Sequence, residues 1–399
     1  MYTGQADLLT YLIYILMGLF CWFAVKTFLR TGATAPAGDG SPLPDRQKKI
    51  EHVLSGVLFV LVLALFAALR AVGEDIGGSD ATVYVDYFKN ATGLNYYREN
   101  PYGISEPLFF LYNFLFRGIT GNFRVFFFVT YGFIAFSYLW FIREYVRDGE
   151  VASPFLLVVF LYLKSFCTLR TSFAVAVYLI ALTVFKRHKI ASIPLFILPI
   201  FIHRMSVLYA ILPIFYYFYR FVKRRVTVGW QILVFSICVG CSVAGAILLR
   251  ELILSFHLIS GLDASYIENS RGVSLVSQYP MYFSFLLLGL LLRILIPLCY
   301  KKRNGCDLID DDLFFLFVFD VIVFPASLVL GMWRANEYLY LARLALWATA
   351  FPALVNLTLA KYKKYLYLAF AGCFFLWLAF RLYSEWDALK IMPYIPFFL

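Results

Sequence analysis

The chain has 399 residues, of which 62% are hydrophobic, 20% aromatic and only 15% charged. A soluble chain carries about 25% charged residues, and a single water-surrounded core stops growing near ~250–300 residues, so a soluble globule is excluded. The formal charge of +11 sits in short basic clusters between apolar runs, which points to membrane lipid rather than nucleic acid as the partner.

The apolar runs fall at 8–28, 50–69, 123–142, 153–168, 170–186, 190–203, 205–221, 227–249, 281–300, 313–331, 338–357 and 366–383. They are continuous blocks, which excludes a β-barrel. They predict an all-α, polytopic transmembrane helix bundle of about 12 spans, forming one transmembrane domain over 1–399. Residues 1–10 carry no basic region, and Lys26 and Arg30 follow the first run instead. That order predicts a retained first span with its N-terminus outside. Residues 31–44, rich in Gly, Ala and Pro, read as an inner linker.

Alternating sides from there puts five basic clusters inside: Arg46, Lys48 and Lys49; Lys186, Arg187 and Lys189; Arg220, Lys223, Arg224 and Arg225; Lys301, Lys302 and Arg303; Lys361, Lys363 and Lys364. Both termini then lie outside, as the positive-inside rule requires. The run at 107–119 is too short to span, and counting it would invert every later cluster. It is expected to be a re-entrant or interfacial helix within an extracytoplasmic loop, 70–122. A second outer loop is expected at 250–280, and a third outer turn at 331–337. Cys238 and Cys241 form a CxxC inside an apolar run without further ligands nearby, and read as small buried hydrophobes.

Arg70, Arg170, Arg204, Arg334 and Arg343 fall near the outer face, against the positive-inside trend. Each alone reads equally well as a snorkelling or structural residue. Together they call for an anion, and a pyrophosphate matches the bidentate guanidinium fork. His203 is the one histidine at an outer hairpin beside these arginines, and an imidazole can serve as general base. Asp80 and Glu106 are the alternative carboxylate bases. Deeper in the bundle, Arg293 and Asp320 match in depth on consecutive runs. A neutralising pair is expected there, with ion coupling in a transporter as the sharper reading.

The stretch RAVGEDIGGSDATVY, from Arg70 to Tyr84, resembles the Arg…Gly-small-Asp-x3-Tyr element of the EpsG family, bacterial membrane proteins of exopolysaccharide synthesis regarded as Wzy-like polymerases. Glu106-Pro107-Leu108-Phe109 is similar to its Glu-Pro-Leu-Phe segment. Arg170 with Ser172-Phe173-Ala174 resembles its Arg-Gln-x-x-Ala element, and His203…Ser206 its Phe-His-x-Ser element. Thr171 replaces the Gln, and the His-to-Ser spacing is one residue longer.

The resemblance implies a membrane glycosyltransferase that polymerises undecaprenyl-pyrophosphate-linked oligosaccharide repeats on the outer side of the bacterial cytoplasmic membrane. His203 or Asp80 would be catalytic, and Arg70, Tyr84, Glu106, Arg170, Arg204, Arg334 and Arg343 would bind substrate. A flippase and a chain-length regulator of the same pathway are the implied protein partners. No cofactor or metal is expected, because no Asp-x-Asp pair lies in an outer loop and Asp310, Asp311 and Asp312 fall inside. A transporter or flippase of lipid-linked oligosaccharide, or a membrane acyltransferase modifying surface glycan, are the rival readings.

Overall fold

The structure, a computed structural model, describes residues 8–32, 45–93, 95–96, 105–146, 151–255, 310–330 and 333–396. The expected span at 281–300, Arg293, cluster 301–303 and most of the 31–44 linker and the 250–280 loop lie outside the described residues. Among the described residues every regular element is helical.

Eight helices are long and apolar enough to cross a membrane. Six coincide with α1 (Leu8–Gly32), α2 (Asp45–Ala68), α5 (Phe123–Tyr145), α7 (Leu169–Arg187), α11 (Val228–Ser255) and α12 (Asp311–Val329). The seventh, Arg204–Arg225, begins with a 3₁₀ turn and the short α9 (Val207–Ala210) and continues as α10 (Leu212–Arg225), and the eighth, Ala360–Glu385, takes in most of α14 (Lys363–Leu389). The loop helices are α3 (Ala81–Asn90) and α4 (Pro107–Ile119), and α13 (Tyr340–Thr358) carries Arg343. Two apolar runs depart from the expectation of full spans. Residues 153–168 form a 3₁₀ turn and the seven-residue α6 (Val158–Lys164). Residues 190–203 form the ten-residue α8 (Ile193–Ile202).

Burial explains the first departure. Every residue from 151 to 169 is buried, so protein rather than lipid surrounds this segment and bilayer thickness does not set its length. At the other extreme, only 6% of the α11 window is buried. Its outward Ile237, Leu248 and Leu252 would be intolerable in water and suit lipid contact. Cys238 and Cys241 lie on this helix, half-buried and exposed respectively, so the expected burial within protein is not met by Cys241. The α4 helix is amphipathic. Leu111, Leu115 and Ile119 form an exposed stripe, while Phe109, Phe110 and Asn113 face inward.

Ion pairs sort the ends of the helices into two faces. Lys186 meets Asp310 at 2.7 Å, Arg187 meets Glu144 at 2.7 Å, Lys189 meets Asp312 at 3.3 Å, and Arg220 meets Asp311 at 2.9 Å with Lys223 on the same carboxylate. This is the face that holds the expected inner clusters of 186–189 and 220–225. The opposite face gathers residues 70–80, 106, 167–170, 334–338 and 389–396. The 389–396 tail closes that face. Gly78 and Ser79 donate to Lys390 and Leu389 carbonyls at 3.1 Å each, Ala71 donates to the Ile395 carbonyl at 2.7 Å, and Tyr394 donates to Thr10 Oγ1 at 2.9 Å. The start of α1 and the tail therefore share one face.

Gly77 and Gly78 explain the glycine pair in the 70–84 stretch. Both adopt positive φ, at +82° and +118°. A Cβ at Gly78 would stand 2.6 Å from the Phe166 carbonyl oxygen, so only glycine brings this loop against the buried segment.

Candidate functional site

Glu106 is the centre of the cluster on this second face. It precedes α4, and Pro107 at the first helical position leaves no N–H there to be capped. Its side chain makes no capping bond and is wholly buried among other elements. Oε2 accepts from Arg170 Nη1 at 2.6 Å, and Oε1 from His203 Nδ1 at 2.7 Å and the Arg204 N–H at 3.4 Å. Burial pushes the Glu106 carboxyl up, but the hydrogen bond and charge of His203, the Arg170 guanidinium and the Arg204 N–H together hold it below the usual carboxylate range.

Arg170 is the second residue of α7. A cation at a helix N-terminus opposes the macrodipole, so its place there depends on the facing carboxylate. His203 caps the C-terminal end of α8 in extended geometry, φ −153° and ψ 112°. A ten-residue helix rises only ~15 Å, about half a hydrocarbon core, and the break at His203 aims the ring at Glu106. Because the Glu106 carboxylate can only accept, Nδ1 carries the proton and a neutral ring keeps its lone pair on Nε2. Nε2 is buried and has no partner among the described residues.

A second group lies beside the first. Arg334 meets Asp80 at 3.5 Å, with the carboxylate 38% exposed. Asp80 starts α3 without a side-chain capping bond, which leaves the carboxylate turned outward. Tyr84 is buried and donates to the Cys167 carbonyl at 3.3 Å. Burial raises its phenol, while Arg170 and Arg334 pull it down and Asp80 pushes it up, so it lies between the two ion pairs.

The structure thus brings Glu106, Arg170, His203, Arg204, Tyr84, Asp80 and Arg334 together. Arg70 and Arg343 are not brought to the cluster. Arg70 is 1% exposed. Its guanidinium donates to Gly77 O at 2.8 Å, Ala67 O at 2.6 Å and Tyr131 Oη at 2.9 Å, and packs 4.0 Å from the Phe166 ring. That satisfies the loop and its buried neighbour from within. Arg343 grips Asp320 with Nε to Oδ2 at 2.6 Å and Nη2 to Oδ1 at 2.8 Å, and also contacts Asn336. Among the described residues Asp320 therefore has Arg343 as its partner; the expected partner, Arg293, lies outside them.

Lys164, Thr168 and Tyr338 escaped the sequence reading. Lys164 Nζ stands 3.2 Å from Glu337 Oε1, and Thr168 donates to Glu337 Oε2 at 3.4 Å, both beneath the same face. Lys164 interrupts an apolar run, and an ionisable residue in such a run is itself a signal of a buried partner. Tyr338 is wholly buried against Ser206.

Fold and site define a multi-pass helical membrane protein that encloses a charged cluster near one face. The EpsG family model matches residues 53–396, nearly the whole chain, and the chain belongs to the EpsG family. No curated relative and no solved structure matches it. The family and the apolar helices together fit a membrane protein of polysaccharide polymerisation.

Proposed function

We propose that this protein transfers glycan from a polyprenyl-pyrophosphate carrier, undecaprenyl pyrophosphate in bacteria, to a sugar hydroxyl on the extracytoplasmic face of the cytoplasmic membrane. The observation that carries this reading is the buried Nε2 of His203, unpartnered among the described residues, whose opposite nitrogen is held by Glu106. An acceptor hydroxyl gives its proton to Nε2 as its oxygen bonds to the anomeric carbon. The bond from that carbon to the carrier phosphate breaks, and its electron pair leaves with the pyrophosphate. Arg170, Arg204 and Arg334 stabilise the charge that develops there, since guanidinium donors match phosphate oxygens. Glu106 acts as orienter of the base, and Asp80 holds Arg334 at the more exposed edge. The positive-inside rule puts the 186–189 face in the cytoplasm and this cluster outside. Further crossings by the buried 153–164 segment, by α8 and by α13, with a span at 281–300, would restore the count of 12.

The test is product formation by purified protein from lipid-linked oligosaccharide. Arg170→Lys keeps the charge but loses the fork. Loss of one charge-assisted contact of ~1.5–3 kcal/mol slows turnover about ten- to a hundredfold. His203→Ala should accumulate unpolymerised lipid-linked repeats. Folded Arg170→Ala and His203→Ala proteins that polymerise at the wild-type rate would overturn the assignment.

A further inference from the structure

The His203 ring is held at its tip by Glu106, but the reach of that ring is set by the backbone that carries it. His203 lies in a helix break, where backbone groups lose their ordinary partners. Here those of His203 are recovered. The His203 N–H donates to the Pro199 carbonyl at 2.8 Å, and its own carbonyl accepts from the Ser206 N–H at 3.0 Å. Ser206 Oγ stands 2.7 Å from the His203 carbonyl and 3.0 Å from the Pro199 carbonyl. The third neighbour of Ser206 Oγ is the hydroxyl of Tyr338.

The proton order follows from the chemistry of these groups. Both carbonyls can only accept, so the single Ser206 proton goes to them. The Tyr338 hydroxyl must then donate to Ser206 Oγ. Tyr338 itself has little freedom. It is stacked on Tyr209, with centroids 4.6 Å apart and planes at 10°, and set edge-on to Tyr178 at 5.4 Å. Glu337, next in the chain, is anchored to Lys164 and Thr168. The 333–338 turn therefore reaches into the break from the outer face and fixes it.

We infer that Ser206 and Tyr338 are positioning residues for His203, acting through its backbone rather than on the substrate. This rests on His203 being the base proposed above. It also accounts for the extra residue between His203 and Ser206 relative to the family element, because at this spacing the hydroxyl turns back onto the His203 carbonyl. A displacement of 1 Å at a catalytic group can cost about a hundredfold in rate, so a loosened break need not unfold the protein to slow it.

The test uses full-length protein in detergent or nanodiscs with Tyr338→Phe, Ser206→Ala and Ser206→Thr. Two readouts are taken, turnover with lipid-linked donor and the imidazole resonances of isotope-labelled histidine. The chain has four histidines, and His203→Gln assigns the signal. Tyr338→Phe keeps both ring contacts, so it should fold. It is expected to shift the His203 resonance and lower kcat about tenfold, leaving KM for the donor within twofold. Ser206→Ala should do the same, the double variant should be no worse than Ser206→Ala alone, and Ser206→Thr should restore most of the rate. A His203 resonance and kcat unchanged in both folded single variants would overturn the inference. A shifted resonance with unchanged kcat would support the positioning role and instead overturn His203 as the base.

Discussion

Glu106→Gln is the most incisive single change, because it preserves shape and removes only the charge. In the wild type both carboxylate oxygens accept, one from Arg170 at 2.6 Å and one from His203 at 2.7 Å. A glutamine has one accepting oxygen and one donating nitrogen. If its oxygen turns to Arg170, the amide donates to His203 Nδ1 and drives the ring proton onto Nε2, which disables the base. If its oxygen turns to His203, amide and guanidinium confront each other as donors over a buried cation. The stability cost of breaking a buried pair is roughly 3–5 kcal/mol. The wrong imidazole tautomer costs about 10⁴ in a serine protease triad, so turnover here should fall at least about a thousandfold by the same reasoning. The assay pairs thermal unfolding in detergent with single-turnover transfer from lipid-linked donor. The acid dependence follows from sign. The folded Glu106 pKa is depressed, so its contribution is complete above the unfolded value of about 4.3 and fades as pH falls through the lower folded value. The stability gap between wild type and variant should close in that acid window. A folded Glu106→Gln protein turning over within tenfold of wild type would refute the reasoning.

Arg70→Met should lower the yield of folded protein while sparing the specific activity of what folds, measured as turnover per monodisperse molecule. Asp320→Asn and Arg343→Gln should each cost roughly 3–5 kcal/mol in unfolding assays, and an Asp320→Leu/Arg343→Met double change should cost less than either. Cysteine labelling in whole cells should reach engineered position 90 from outside and not position 188. Turnover should persist in EDTA, since the carboxylates of the cluster's face, Glu106, Asp80 and Glu337, each already face a cation.

Composition and hydropathy made the membrane class and most helices legible, because lipid-facing helices such as α11 must be apolar all round. The buried 153–164 segment was legible as apolar but not as short, since its length is set by neighbours that only the fold supplies. Glu106, Arg170 and His203 were readable because polar groups at span ends stand out against apolar runs. Arg70 and Arg343 stood out for the same reason and serve different partners. A sequence marks a charge as expensive without saying whether a carbonyl, a carboxylate or a ligand compensates it. Tyr338 was invisible because a tyrosine in an aromatic-rich chain carries no mark until its hydroxyl meets Ser206.

The strap at 389–396 has a consequence for how the protein is made. Lys390 Nζ reaches the carbonyl of Glu74, 316 residues earlier, and Cys167 Sγ meets the carbonyl of Leu389, 222 residues later. At ~5–20 residues per second of synthesis, the loop holding Arg70 and Asp80 waits roughly 15–60 s for the segment that closes it. Helices inserted early thus form a bundle whose rim on that face stays open until translation passes residue 389. A nascent chain stalled short of that point would be membrane-inserted and yet unable to seat the loop beside Glu106.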